Sequence, residues 1–369
     1  MQKPNRLQHL ISASLSVCLL LSFTISFLTN SAVGRDNLLS STAYDGSVLP
    51  AATPIDRFNR IVLQNDSAAT AIKSLEYHLL STVQSDNVIA GKQGFLFEIE
   101  DKKTGYNYLN DYQGKLHFSN EEKRAILKEL RRREEMYAAQ DADYLLVIIP
   151  NSQTVYSENM PNYIGDMTDR TRLDDLDTYL RGHLFNSYLN LTDALLAAKA
   201  DGPLYHNTEN ALTSLGLYYL YREICATVAP SLLGDEIIAR EELSFMTYET
   251  AGRRLSKQAG LTDIVKNYTV ALQNDELNDY STLFVSGYIS KTMRLPRDGG
   301  EILADGPSLL MQFSDAGSRL LAEPYFSCTF DHVTYQSNLF ENSFSYELAA
   351  PNLVIQVVYE YELSNFLHN

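Results

Sequence analysis

Three short, largely apolar runs stand out along the chain: Asp143–Ile149 (DYLLVII), Ser308–Phe313 (SLLMQF) and Leu353–Val358 (LVIQVV), the last two each with one Gln inside. A strand covered on one face alternates apolar and polar residues, so runs of this length without that alternation predict strands buried on both faces of a parallel sheet. Pro150-Asn151 closes the first run. His332–Gln336 is a shorter strand candidate, and helical spacing occupies Arg172–Leu184, Ser214–Val228 and Gly317–Phe326. Strands alternating with helices predict a doubly wound α/β sandwich with a mainly parallel sheet. Residues from about 235 to 300 fit that alternation poorly and read as an insertion on the sheet rim.

Nearer the N-terminus, Val88–Phe97 holds two glycines three apart and then apolar residues, the pattern of a turn feeding a strand. Ser119 before Glu122 is a capping box, opening a helix that runs to about Gln140. The charged run Lys128–Glu135 within it reads as a solvated helix face with i,i+4 pairs. Asp56–Val83 also has helical spacing.

The first segment has a different character. Leu10–Leu28 is 19 residues without a charge, 13 of them apolar and six Ser or Thr. As a helix it spans roughly 28 Å, close to the hydrocarbon thickness of a bilayer. Lys3 and Arg6 precede it, which orients the N-terminus to the cytoplasm and the body outside. We expect a single-pass anchor at about residues 8–29. The competing reading is a signal peptide cleaved after Ala32-Val33-Gly34, which leaves a secreted protein. The segment from Asn30 to about Ala52 is rich in Ser, Thr, Asn and Asp and reads as a stalk. The expected organisation is 1–34 cytoplasmic tip and anchor, 35–85 stalk and lead-in helix, and 86–369 a single α/β domain.

Composition narrows the function. The 369 residues carry 30 Lys plus Arg against 46 Asp plus Glu, a formal charge of −16. That field repels phosphate backbones, so nucleic acid is not an expected partner. Three cysteines without a C-x-x-C pair exclude zinc ribbons and iron–sulfur clusters. Cys225 and Cys328 are candidates for a disulfide in an oxidising compartment, or for small core residues. No phosphate-binding glycine loop, zinc motif or calcium loop is present, and no cofactor or metal site is expected. Asp169, Asp174, Asp175 and Asp177 cluster, as a solvated helix start requires. The chain has no Trp and 24 Tyr, so any stacking on a sugar ring falls to Tyr or Phe.

In doubly wound sheets ligands sit at the carboxyl ends of the strands. The residues to inspect there are Pro150–Tyr156, Ser314–Ser318, and Tyr205–Gly216 before the Tyr-rich helix. These stretches, with two more, resemble SGNH-hydrolase-like proteins of the AlgX/AlgJ and DHHW type. Val88–Phe97 is similar to V-x-x-G-K-x-G-W-L-F, and Asp111–Gly114 precedes the Phe118-Ser119 helix start. Ile149–Tyr156 is similar to P-N-K-x-x-x-Y, Leu204–Tyr221 to the D-H-H-W-T-x-x-G-A-Y-Y block, and Leu309–Tyr325 to strand, D-S-Y, helix, P-Y-L. The resemblance covers about residues 86–363. It implies a membrane-anchored or secreted protein linked to O-acetylation of bacterial exopolysaccharides, with a membrane-bound O-acyltransferase or a cell-surface glycan as partner.

The departures matter most. The resemblance implies a triad of Asp and His from the D-H-H-W block and Ser from D-S-Y, in which Ser attacks an acyl carbon, His takes its proton and Asp orients the imidazole. In register, the Asp is Glu209, the catalytic His falls on Ala211 and the Trp on Leu212. Asp315 is retained, but the nucleophile position is Ala316. The Lys of P-N-K is Ser152, and the Trp of G-W-L-F is Phe95. A methyl group neither attacks a carbonyl nor carries a proton. The sequence therefore predicts a pseudoenzyme with vestigial positions Glu209, Ala211, Asp315 and Ala316. Candidate ligand-binding residues are Asn151, Tyr156, Glu209 and Asp315. Two alternatives stand beside it: an active O-acetyltransferase or esterase with a rearranged nucleophile drawn from Ser314, Ser318 and His206, and a structural surface protein. Tyr218 and Tyr221 share a helix face and read as core.

Overall fold

The computed structural model describes residue 70 and most of residues 73–367. Residues 1–69, 71–72, 81–82, 84, 184, 233–236, 275–276, 278–279, 287–288, 295–307, 315, 338–350 and 368–369 lie outside the description. The expected anchor at 8–29 and the stalk are among these. Among the described residues no helix is long and apolar enough to cross a membrane.

The chain first forms a small hairpin, β1 (Val88–Ala90) against β2 (Leu96–Glu98), then the short pair β3 (Glu100–Asp101) and β4 (Tyr106–Asn107) and helix α1 (Tyr108–Tyr112). Helix α2 (Asn120–Ala138) opens with the capping box read from sequence: the Glu122 N–H donates to Ser119 Oγ, and the Ser119 N–H to the Glu122 carboxylate. Then follow β5 (Asp143–Ile149), α3 (Ser152–Val155), α4 (Arg172–Gly182), β6 (Tyr188–Asn190), α5 (Thr192–Ala198) and α6 (Ser214–Leu232). Strand β7 (Phe245–Thr250), helix α7 (Arg254–Gln258) and strand β8 (Asn267–Leu272) form a separate two-stranded unit. Strands β9 (Tyr280–Ser286), β10 (Ile289–Arg294) and β11 (Ser308–Phe313), helix α8 (Ala316–Thr329), and strands β12 (His332–Ser337) and β13 (Leu353–Tyr359) complete the fold. A 3-10 segment, Glu360–Leu367, ends the described chain.

Seven strands make one sheet in the order β6-β5-β13-β11-β12-β10-β9. The first five run parallel, and β10 and β9 add antiparallel at one edge. The three apolar runs are the adjacent central strands β5, β13 and β11. Alternate residues of each serve opposite cores, which is why the runs are apolar on both faces apart from the paired, buried Gln312 and Gln356. Leu145, Val147 and Ile149 join Met311, Phe313, Ile355 and Val357 under α5, α6 and α8. Tyr144, Leu146 and Ile148 join Leu310, Val354 and Val358 under α2, α4 and the final 3-10 segment. The fold is thus a helix–sheet–helix sandwich with a mostly parallel sheet.

Some local features differ from the sequence pattern. The region 235–300 contributes β9 and β10 to the main sheet as well as the β7–β8 pair; the alternating burial of β10 suits a place near the edge rather than a doubly covered centre. Helix α8 continues through Pro324 to Thr329. Cys225 and Cys328 are buried free thiols. Burial pushes the Cys225 thiol up to about 12, and Cys328 donates to the Leu277 carbonyl at 3.2 Å.

Candidate functional site at the carboxyl edge of the sheet

Strand β5 ends at Ile149, and Pro150 turns the chain into α3. The first residues of that turn are buried and held from several directions. The Asn151 N–H donates to Glu360 Oε2 at 2.9 Å, and Asn151 Nδ2 donates to the Tyr106 hydroxyl at 2.8 Å. The Ser152 N–H donates to Asn210 Oδ1 at 3.0 Å, and Gln153 Nε2 to the Glu98 carbonyl at 3.0 Å. The Tyr205 hydroxyl donates to the Pro150 carbonyl at 2.6 Å. Tyr156 accepts the Leu204 N–H on its hydroxyl at 2.9 Å, so this candidate ligand residue is engaged in the scaffold.

The second wall is the turn between Leu204 and Thr213. It closes through the Thr213 N–H on the Leu204 carbonyl at 2.8 Å and the His206 N–H on the Ala211 carbonyl at 3.0 Å. Asn207 ties the turn to the β1–β2 hairpin: its carbonyl accepts the Leu96 N–H at 2.7 Å, and its Nδ2 donates to the Gly94 carbonyl at 2.8 Å. Thr208 donates to Asn267 Oδ1 at 2.9 Å and accepts the Arg253 N–H at 2.9 Å. The turn is therefore braced on one side by the hairpin and on the other by β8 and α7. Helix α6 follows at once. Its Gly216 lies so close to Leu204 that a Cβ there would sit 2.3 Å from the Leu204 carbonyl oxygen. The Tyr325 hydroxyl of α8 donates to the Ser214 carbonyl at 2.9 Å. All five sequence stretches singled out above are thus connected: the hairpin and the β5 turn to the 204–213 turn, the latter to α8, and Asp111 to the β5 turn through Tyr106.

Glu209 is half-buried and pairs with Arg253 at 3.1 Å. Ala211 is half-buried in the same turn. Ala316 is the first residue of α8, while Asp315 lies outside the described residues. Ser318 Oγ sits 2.9 Å from the Tyr359 hydroxyl. His206, the one histidine of the turn, has Nδ1 facing the Tyr268 carbonyl at 3.4 Å and Asn267 Nδ2 at 3.3 Å. Burial, with Arg253 nearby, pushes its pKa down to about 4, so the imidazole is neutral at physiological pH. Only Nδ1 is engaged with β8; Nε2 is buried and meets no hydrogen-bond partner, a serine hydroxyl included, among the described residues. Tyr218 and Tyr221 are fully buried core residues, as their spacing indicates.

Two buried clusters behind the edge have no counterpart in the sequence reading. Glu360, completely buried, directly follows β13. Tyr106 donates to Asp111 Oδ2 at 2.8 Å, and the Arg172 N–H donates to Asp111 Oδ1 at 2.8 Å. The Arg172 guanidinium lies between the Tyr106 and Phe118 rings, 4.4 and 4.3 Å from their centroids. Burial, and then the neighbouring Asp111, push the Glu360 carboxyl well above the ordinary carboxylate range. In the second cluster Glu98, 3% exposed, takes a bidentate pair from Arg254 with both contacts at 2.6 Å. The signal for Glu360 was present: an acidic residue immediately after a fully buried, largely apolar strand. Glu98 also follows an apolar pair on a strand. Their partners are remote in sequence and carry no local mark.

No protein-family model matches the chain, and no curated protein matches it in sequence. Its structure is similar to that of PatB1 from Bacillus cereus with a sulfonyl adduct, at 12% identity and TM-score 0.52, covering 76% of this chain and 97% of that one. The O-acetyltransferase domain of AlgJ from Pseudomonas putida is 14% identical, with TM-score 0.46 and coverage of 75% and 92%. A DHHW family protein from Eubacterium siraeum is 12% identical, with TM-score 0.47 and coverage of 77% and 98%. The chain shares the overall fold of the PatB1 structure.

Proposed function

We propose that the protein is a non-catalytic SGNH-hydrolase-like protein, anchored by residues 8–29 with its body outside the cytoplasm, that engages a cell-surface glycan in polysaccharide O-acetylation. The observation that carries this reading is the braced turn at 204–213. The contact between Asn210 and Ser152 joins the block resembling D-H-H-W to the block resembling P-N-K. In that register Ala211 stands where a base is needed and Ala316 where a nucleophile is needed. His206, the nearest imidazole in sequence, is held to β8 through Nδ1, and its buried Nε2 meets no serine hydroxyl among the described residues. The scaffold of the site persists without the groups for acyl transfer. A membrane-bound O-acyltransferase is the enzymatic partner such a protein serves.

The test is acyl transfer from p-nitrophenyl acetate by the purified full chain, beside binding to purified surface polysaccharide. The reading expects glycan binding with no nitrophenol burst. A burst with a trapped seryl adduct, lost in Ser314→Ala or Ser318→Ala, means that the nucleophile moved and the protein is an enzyme. Neither turnover nor binding means a structural surface protein.

A further inference from the structure

Away from the sheet edge, helix α2 and the end of α4 border an open groove of about 990 Å³. That is near the upper end of the roughly 300–1,000 Å³ typical of ligand sites. Arg124, Lys128, Arg131 and Arg132 line it, with Tyr179 and His183 opposite. The spacing i, i+4, i+7, i+8 places the four cations on one helix face. All four are exposed. Glu129 and Glu135 also line the groove, but Glu129 is occupied by Arg132 at 2.7 Å and Arg133 at 2.8 Å. Arg131 donates to the His183 carbonyl at 2.9 Å, which ties the two walls together. Among the described residues, neither Arg124 nor Lys128 has a carboxylate partner.

In a chain of net charge −16 this concentration of cations is anomalous. A helix face serving only as a solvated surface pairs its charges at i,i+4, as Arg132 and Glu129 nearly do at i,i+3. Arg124 and Lys128 stand four apart with like sign, which costs helix stability. The rest of the lining bears on the ligand. The Tyr179 and His183 rings lie with centroids 4.1 Å apart at an interplanar angle of 34°, beside the cations. Leu127, Met136, Phe366 and Leu367 also line it, the first and third buried and the other two half-buried, and the large apolar side chains most exposed elsewhere, Met246, Tyr248 and Leu283 among them, are not in its lining. A membrane surface is bound through such wedges together with cations, and a docked peptide helix through apolar anchors. The groove offers exposed cations and rings above a mostly covered apolar floor, the complement of a sugar chain bearing acidic groups.

We propose that the groove between α2 and the end of α4 binds an acidic glycan chain, with Arg124 and Lys128 as its free anion contacts. This rests on the glycan reading above and adds to it a second surface distinct from the sheet edge. It binds the chain without reacting with it.

The probe is oligogalacturonate, titrated into the purified full chain by calorimetry, with dextran, poly-L-glutamate and anionic phospholipid vesicles alongside. Its binding is expected, weakening steeply as salt rises. The double variant Arg124→Glu/Lys128→Glu should weaken it roughly tenfold or more. Arg124→Ala/Lys128→Ala should weaken it less, at an unchanged melting temperature. No acidic-glycan binding, or binding indifferent to both double variants, overturns the groove. Tighter binding of poly-L-glutamate or vesicles overturns it in favour of a peptide or a membrane. If the chain binds surface glycan and only Asn210→Ala weakens it, the groove falls while the functional reading stands.

Discussion

Asn210 and Ser152 meet across the carboxyl edge of the sheet, the Ser152 N–H donating to Asn210 Oδ1 at 3.0 Å with both residues buried. The two lie on separate loops, and this bond fixes the turn after β5 against the turn before α6. Removing the acceptor leaves a main-chain N–H buried without a partner, which costs about 1–3 kcal/mol. Asn210→Ala should lower stability by that amount in urea denaturation. Asn210→Asp, which keeps an acceptor, should recover most of the loss. An unchanged midpoint in Asn210→Ala would show that water replaces the amide.

Gly216 tests the packing of the same turn. Its Cβ would meet the Leu204 carbonyl oxygen at 2.3 Å and Leu212 Cδ2 at 2.9 Å. The oxygen belongs to backbone that also accepts the Thr213 N–H, so it cannot yield cheaply. Gly216→Ala should therefore destabilise by about 2–3 kcal/mol, although alanine is ordinarily the better helix former by about 1 kcal/mol. A melting temperature at or above wild type would show that α6 shifts away from the turn freely.

Two buried groups make stability depend on pH in opposite senses. His206 has a folded pKa of about 4, below its ordinary 6.5. Below pH 6.5 the unfolded chain takes up a proton that the folded one refuses. Stability is therefore full above pH 6.5 and falls by about 3 kcal/mol as pH drops to 4. Glu360 has a raised pKa. Above its ordinary value near 4.5 the unfolded chain releases a proton that the folded one keeps, so its contribution declines as pH rises from there. Between pH 4.5 and 6.5 the two slopes oppose each other. Glu360→Gln, which retains an acceptor for the Asn151 N–H, should be more stable than wild type at pH 8 and gain nothing at pH 4. His206→Asn should flatten the acid limb. Identical pH profiles for wild type and Glu360→Gln would show that Glu360 is ionised in the folded protein.

The sequence made the centre of this fold legible because β5, β11 and β13 are covered on both faces and advertise it by largely apolar runs, with only Gln312 and Gln356 inside them. Strand β6, three half-buried residues, has no such mark, and β9 and β10 lie at an edge where the pattern is weak. At the site, local motifs located Asn151, Tyr156 and Glu209 in the neighbourhood of the sheet edge. They did not show that Tyr156 is a scaffold residue or that Asn210 is the bridging one, since both roles depend on partners about fifty residues away. The carboxyl cluster of Asp111 and Glu360 spans still longer separations and emerges only with the folded chain.

The carboxylates at the edge provide the final prediction. Glu209 pairs with Arg253 where the side chains are 25% and 40% exposed, so water screens the pair and it contributes about 0–1 kcal/mol. Glu98 is 3% exposed and bound by both nitrogens of the Arg254 fork. Removing it strands a guanidinium and opens a buried gap. Because Arg254 itself is 41% exposed, the cost should fall at or below the lower end of the roughly 3–5 kcal/mol seen on breaking buried pairs. Chemical denaturation should therefore rank Glu98→Ala well below wild type and Glu209→Ala close to it. If Glu209 is a remnant, neither change alters p-nitrophenyl acetate hydrolysis above the solvent background. Restoring Ser at 316 and His at 211 should also give little activity, because the positions matching the Asp, Lys and Trp now hold Glu209, Ser152 and Leu212. A hydrolytic rate in the wild-type chain that Glu209→Ala abolishes, at unchanged stability, would make Glu209 a working acid–base group and end the pseudoenzyme reading.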